Sequence, residues 1–209
     1  MPDPIADAAS AALRGELVVL PTDTVYGIGT RPDDAAATAR LFEAKGRPAE
    51  LELPVLVAGS GQAREIAKLD DRAEVLAARF WAGPLTLVLP RAAASRDWEL
   101  GGDPDTVGVR MPHHPLALAV LAAAGPLAVT SANQSGRATP AECREVERTF
   151  GDVVAIYLCD PAPLAGPAST VLDLAHGEPR LLREGAVAEA EVLAALTGAT
   201  GGGDRVQGR

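Results

Sequence analysis

Aromatic side chains, lysine, cysteine and long hydrophobic runs are all scarce in this 209-residue sequence. Phe, Trp and Tyr make up 3% of it, too few for a base-stacking platform that grips single-stranded nucleic acid. Positive charge is short as well. Acids number 28 against 19 bases, a net charge of -9, which excludes a protein whose whole surface holds nucleic acid. A local basic pocket for a phosphorylated small molecule stays open. The longest apolar stretch, Pro115 to Val129, is rich in Ala and broken by Gly125 and Pro126, too short and too weakly hydrophobic to span a bilayer. The first ten residues, MPDPIADAAS, carry acids where an export signal carries bases. Cys143 and Cys159 are the only cysteines. They cannot build a disulfide framework, and they read as small half-buried thiols in a reducing compartment. The expected setting is the cytoplasm.

Familiar cofactor and metal signatures are missing too. The sequence contains no GxxxxGK[ST], GxGxxG, CxxC, HExxH or GxSxG, so a Walker-type phosphate loop, a protein-held zinc and a nucleophile elbow are not expected. His113 and His114 are neighbours and do not readily share a metal; they precede Pro115 and are placed to cap the next helix. His176 lies in an AHGEP turn that faces water.

What remains is ordinary globular material, 47% apolar and 22% charged. Strands and helices alternate. Asp3-Pro4 opens a helix to Arg14, Asp33-Asp34 caps one through Ala44, and Asp70-Asp71 caps one through Phe80. Further helices read at Gln62–Lys68, Pro115–Ala124, Pro140–Phe150 and Ala188–Leu196. Strands read at Glu16–Leu20, Pro54–Ala58, Leu85–Leu89, Thr106–Met111, Leu127–Thr130, Val153–Leu158, Thr170–Leu174 and Arg180–Arg183. Residues 22–30 read as a loop punctuated by Gly27 and Gly29. The pattern predicts a single α/β domain over residues 1–197, followed by a flexible Gly-rich tail over 198–209.

Ligands in such folds sit in the loops at strand ends, and four polar clusters stand there. Residues 21–27, PTDTVYG, offer hydroxyls and a close backbone approach at Gly27, or simply a self-bonded turn. Lys45-Gly46-Arg47-Pro48 follows a helix end. Its two bases suit a polyphosphate, or they complement the helix dipole. With 17 of the 19 bases being arginine, Lys45 and Lys68 are the only lysines. Residues 130–136, TSANQSG, supply uncharged hydrogen-bonding groups. Ser169-Thr170-Val171 with Arg183, and Arg110 closing the strand TVGVR, complete a set. Together these describe an anion-binding cavity whose chemistry is positioning and charge neutralisation.

In this order PTDTVYGIG, KGRP, GPLT, VGVRMP, TSANQSG, STV and LREG resemble the YrdC/TsaC family, the L-threonylcarbamoyladenylate synthases, across roughly residues 10–195. The resemblance implies a single-domain YrdC-like twisted mixed sheet with flanking helices and a deep concave cavity. It implies adenylyl transfer from ATP: L-threonine, bicarbonate and ATP give threonylcarbamoyl-AMP and pyrophosphate, for t6A modification of tRNA. It further implies that Lys45 and Arg47 hold the triphosphate and serve catalysis, with Mg²⁺ brought by ATP and not caged by protein. By the same resemblance Thr24, Arg110 and Ser169 hold threonine, and Ser131, Asn133, Thr106, Thr139 and Arg183 line the nucleotide side. A downstream threonylcarbamoyl-transferase complex would receive the product, with weak tRNA contact.

Two positions depart from the pattern. Glu52 stands where the family often has Pro, which bears on the local loop, and Leu56 stands where some members place a threonine-contacting His. A double-stranded RNA or tRNA-binding module without turnover is the alternative reading, against which the net charge argues. A carbamoyl-adenylate site of the kind embedded in hydrogenase-maturation proteins is a more distant one, since their cysteine pairs are absent.

Overall fold

The computed structural model describes residues 3–46 and 51–200. Arg47 lies outside them, as does the tail from residue 201. Helix α1 (Pro4–Leu13) starts where the sequence places it: Asp3 Oδ1 accepts from Ile5 N (3.0 Å), and Pro4 occupies the first turn. Helices α2 (Ala35–Lys45) and α4 (Asp71–Phe80) are capped alike, by Asp34 on Ala36 N and Asp70 on Ala73 N. Gly46 ends α2 at φ 55°, a left-handed position that glycine adopts freely. The short α3 (Ser60–Ile66), α5 (Pro115–Ala124), α6 (Cys143–Phe150) and α7 (Glu189–Thr200) complete the set among the described residues. Helix α7 thus continues past residue 197, where the sequence reading had the folded part ending.

The strands are β1 (Leu17–Leu20), β2 (Gly27–Thr30), β3 (Val55–Leu56), β4 (Leu85–Pro90), β5 (Thr106–Arg110), β6 (Leu127–Ser131), β7 (Val154–Tyr157), β8 (Thr170–Asp173) and β9 (Arg180–Arg183). They form one mixed sheet in the order β7-β1-β2-β6-β3-β5-β4-β8-β9. The pairs β1–β7, β3–β5 and β4–β8 are parallel and the rest antiparallel. Strand β2 corrects the sequence reading, which left GIGT in a loop. Its glycines are there for contact: a Cβ on Gly27 would lie 2.5 Å from Val129 Cγ1, and one on Gly29 would lie 2.5 Å from Ala128 O. A strand that must pass this close to β6 needs glycine, the same residue that mimics a turn in the sequence.

Apolar side chains pack on both faces. The alanine face of α1 (Ala8, Ala9, Ala11, Ala12) meets Val120 and Leu121 of α5 over Val18, Leu20 and Val129. The larger cluster, with Leu41, Val55, Leu76, Leu87, Leu100 and Val109 among its members, joins α2, α3 and α4 to the central strands. Each such leucine or valine contributes about 1.5–3 kcal/mol on burial, before chain entropy is counted against it. Among the described residues, no helix is long and apolar enough to cross a membrane.

The cysteines also correct the sequence reading. Cys143, the first residue of α6, and Cys159, just after β7, form a disulfide with Cα atoms 5.5 Å apart. One lies in a helix and the other past a strand end, 16 residues on; only the packing of α6 beside β7 brings them within bonding reach. Cys143, Glu147 and Cys159 are the one trio of metal-ligand types found among the described residues, and with its two sulfurs joined it offers no thiolate to a metal.

Candidate active site

Side chains from six strands line a hollow over the middle of the sheet. Leu56 of β3 pairs with Arg110 of β5, Thr86 of β4 with Val171 of β8, and Val171 in turn with Arg183 of β9. The loop after β1 contributes Thr24 and Val25, the end of β6 contributes Ser131, and Thr139 and Ser169 close the rim. The enclosed volume is about 480 Å³, within the range of small-molecule sites. A wider depression of about 600 Å³ lies between β1, α2 and β7, but Glu16, Glu43 and Asp152 dominate its polar lining. It lacks the converging cations and hydroxyls of the sheet cavity.

Arg110 is the buried cation of the cavity. Its Nη2 donates to Asp23 Oδ1 (2.6 Å), Nη1 to Thr24 Oγ1 (3.2 Å) and Nε to Gly83 O (3.1 Å). Side-chain exposure is only 8% for Arg110 and 13% for Asp23. Three of five guanidinium N–H groups are thereby used, and two stay available to a ligand. Asp23 Oδ1 also accepts from His113 N (2.9 Å), while Asp23 Oδ2 is buried without a hydrogen bond among the described residues. Burial pushes the Arg110 pKa below the usual arginine value; Asp23 opposes that and nearby Arg183 adds to it. Two guanidiniums that repel across a cavity make a standing attraction for an anion.

The hydroxyls are pre-set. Thr22 Oγ1 donates to Val25 O (2.6 Å), so the hydrogen in its 3.0 Å contact with Thr24 Oγ1 comes from Thr24. Arg183 stands at the exposed rim and donates through Nε to Ser169 O and through Nη2 to Ser169 Oγ, both at 3.0 Å. Ser169 Oγ is also 3.0 Å from Thr86 Oγ1. Partial burial lowers the Arg183 pKa as well; like Arg110, it stays charged at neutral pH.

Lys45 sits just behind this wall, 2% exposed. Its Nζ donates to Ser131 O, to Asn133 O and to Asn133 Oδ1 (2.8 Å), ties that match the three donors of an ammonium. Ser131 Oγ in turn donates to Asn133 Oδ1 (2.5 Å). The lysine therefore clamps the end of α2 to the loop after β6.

The structure brings Thr24, Arg110, Ser131, Thr139, Ser169 and Arg183 to one cavity, with Lys45 and Asn133 joined to Ser131. It does not bring Thr106 there. Thr106 is buried at the far end of β5, its carbonyl bonded to Arg91 Nε (2.7 Å) and its hydroxyl directed to Asp103 O (3.5 Å). Sequence reasoning included Thr22 and Asp23 in the PTDTVYG loop and Thr86 in GPLT, but assigned none of the three an individual role at the site. A role for Asp23 could have been found, because a buried arginine calls for a carboxylate and Asp23 adjoins Thr24 in the same loop. Glu52 lines the cavity, and its Oε1 accepts from Gly108 N (2.9 Å). Strand β3 is too short to reach that amide, so the side chain stands in for a strand carbonyl. Burial pushes the Glu52 pKa upward, against the pull of the Gly108 bond and of Arg91.

Residues 10–185 match the Sua5/YciO/YrdC family profile, whose description reads "Telomere recombination". The chain belongs to that family. A relative from Mycobacterium tuberculosis (strain H37Rv) is 43% identical over 195 residues, covering 92% of this chain and 88% of its own length. Pyrococcus abyssi Sua5, solved in complex with L-threonine, aligns with a TM-score of 0.86 and 40% identity over 91% of this chain. The chain spans 56% of the length of that Sua5 structure. Escherichia coli YciO aligns at a TM-score of 0.79 with 24% identity, a likeness of fold alone. Membership places the cavity on a fold whose relatives include proteins named threonylcarbamoyl-AMP synthase, one from P. abyssi at 41% identity and one from Bacillus subtilis at 37%.

Proposed function

We propose that the chain is a threonylcarbamoyl-AMP synthase, joining L-threonine, bicarbonate and ATP with release of pyrophosphate and so serving t6A modification of tRNA. The observation that carries the reading is the cavity that gathers Arg110, Arg183, Thr24, Ser131 and Ser169 on one sheet face, in a relative of a protein solved with L-threonine. The reaction class is nucleotidyl transfer. Threonine's amine and bicarbonate give a carbamate, whose oxygen attacks the α-phosphorus of ATP as pyrophosphate leaves. Two anions must meet, so cations and rigid placement serve better than a general base.

Arg110 offers its two remaining N–H groups to the threonine carboxylate, beside Thr24 and Ser169. Arg183, anchored on Ser169, faces the nucleotide with Ser131, Asn133 and Thr139. Lys45 acts through the Ser131–Asn133 loop that it clamps, and Arg47 is assigned to the triphosphate by the KGRP motif alone. Thr106 is not carried forward. Mg²⁺ brought by the triphosphate would supply charge neutralisation to the leaving pyrophosphate, with Arg47 and Arg183 as the cations of this chain assigned to the nucleotide. The carboxylates nearest the cavity are committed to Gly108 N (Glu52) and to Arg110 and His113 N (Asp23), and the other polar lining groups are donors suited to anions. The product is a reactive mixed anhydride that a transferase must pass to tRNA; with a net charge of -9, tRNA contact by this chain itself is at most local. The reading places the protein in the cytoplasm.

The test is product identification. Incubation with ATP, L-threonine and ¹³C-bicarbonate should give labelled threonylcarbamoyl-AMP by mass spectrometry. Nucleotide breakdown without the labelled adduct, from protein that binds threonine, would overturn the assignment.

A further inference from the structure

The Cys143–Cys159 disulfide lies where two segments bearing cavity residues come together. Cys143 follows the loop over residues 132–142, which carries Asn133 and Thr139. Cys159 begins a strap over residues 159–169 that ends at Ser169 on the opposite rim. The strap has three prolines and is fastened by individual polar contacts. His114 Nε2 lies 3.0 Å from Asp160 Oδ2, Ala186 N donates to Ala168 O (2.9 Å), and Arg183 and Thr86 hold Ser169. Asp160 N donates to Tyr26 Oη (3.0 Å), Leu164 N to Ala141 O (2.8 Å) and Gly166 N to Thr24 O (3.0 Å). The Asp160 amide grips a fully buried tyrosine two residues from Thr24, and the Gly166 amide grips Thr24 itself. The disulfide is the covalent tie that holds this strap against the lead-in to α6.

Exposure of the two cysteine residues is unequal. Cys159 is exposed and Cys143 is 7% exposed within the main core. An incoming thiolate therefore meets the Cys159 sulfur, and Cys143 is the leaving group. Cys143 stands at the first position of α6, where unpaired backbone N–H groups favour a thiolate. The Glu147 carboxylate, 3.7 Å from Cys159 Sγ and within 4.8 Å of Cys143 Sγ, disfavours a thiolate on either sulfur, so the helix N-terminus is what distinguishes Cys143.

We propose that Cys143–Cys159 is a thiol-exchange site, open to low-molecular-weight thiols, whose state sets how firmly the two segments flanking the cavity are held. A thiolate RS⁻ attacks Cys159 Sγ, the Cys143–Cys159 bond breaks, and Cys143 departs as a thiolate that takes up a proton. A second RSH resolves the mixed disulfide. RSSR forms, and two electrons and two protons end on the two cysteines. Oxidised, the Cys159 end of the strap is pinned covalently; reduced, that end is held by its polar contacts alone, and the wall carrying Thr24 and Ser169 loosens. The coupling to substrate rests on the synthase reading of the cavity.

The experiment compares the full chain as the disulfide, after glutathione treatment, and as Cys159→Ser with and without glutathione. It reads amide hydrogen exchange at Leu164 and Gly166 and L-threonine affinity by calorimetry. Reduction is expected to speed exchange at both amides by about tenfold or more, as a local opening without a covalent tie should, and to weaken threonine binding several-fold. Cys159→Ser should match the reduced protein and ignore glutathione. Unchanged exchange on reduction, or a Cys159→Ser protein that still responds, overturns the clasp. Equal threonine affinity in the two states overturns its coupling to the cavity. Responsive amides with no threonine binding in either state leave the clasp standing and sink the synthase reading instead.

Discussion

Asp23→Ala tests the buried ion pair on which the cavity is built. The change removes the acceptor of Arg110 Nη2 at 2.6 Å and of His113 N at 2.9 Å, and it leaves a guanidinium that is only 8% exposed without its counter-charge. Stripping one partner from a buried pair costs about 3–5 kcal/mol, against about 0–1 for a surface pair. At about 2–4 °C per kcal/mol for a domain of this size, the thermal midpoint should fall by about 6–20 °C. The double variant Asp23→Ala/Arg110→Met removes the stranded charge as well. It should therefore be more stable than the sum of the single losses, with a coupling of about 1–3 kcal/mol in a double-mutant cycle. Urea titration of the four proteins measures both quantities. A loss for Asp23→Ala within about 1 kcal/mol, with additive single changes, would mean the pair behaves as a solvated surface contact and the reasoning is wrong.

Other expectations follow from the same contacts. Lys45→Ala should cut turnover and also stability, by about 1–3 kcal/mol, because the Ser131 and Asn133 carbonyls lose a buried donor; a melt as steep and as late as wild type would contradict this. His176 bridges Asp173 (2.9 Å) and Asp103 (3.1 Å), which raise its pKa. Its contribution to stability is therefore complete below the ordinary histidine value and is lost as pH rises through the raised one. His176→Ala should flatten that part of the stability–pH curve, and an unchanged curve would remove the assignment. Glu52 has a pKa raised by burial, so ionising it costs the folded state. Glu52→Gln, which keeps an acceptor for Gly108 N, should be more stable than wild type above the carboxylate range and lose that gain in acid; a loss at neutral pH would refute the point.

The parts of the fold that could be read from the sequence were those fixed locally. The caps Asp3, Asp34 and Asp70 each announce a helix, because the acceptor and the amides it serves lie within three residues. Strand β2 could not be read, because its glycines answer to Val129 and Ala128, a hundred residues away in sequence. The disulfide was hidden for the same reason. At the site, Arg110, Arg183 and Ser169 could be read as a set of donors at strand ends, and the sheet does join them. Thr106 was misplaced because it shares β5 with Arg110 but sits at the other end of the strand. Asp23 was passed over because a search for anion-binding groups does not look for an acid, although the buried arginine needs one.

Pyrophosphate release is the most direct measure of the account. Wild-type protein with ATP and bicarbonate should release pyrophosphate only when L-threonine is present. Arg110→Ala, confirmed folded, should lose about one and a half to three orders of magnitude in that rate, the effect of removing about 2–4 kcal/mol of charge-assisted stabilisation. Release that ignores threonine, or that survives intact without the Arg110 guanidinium, would contradict the claim that this cavity brings the amino acid and the nucleotide together.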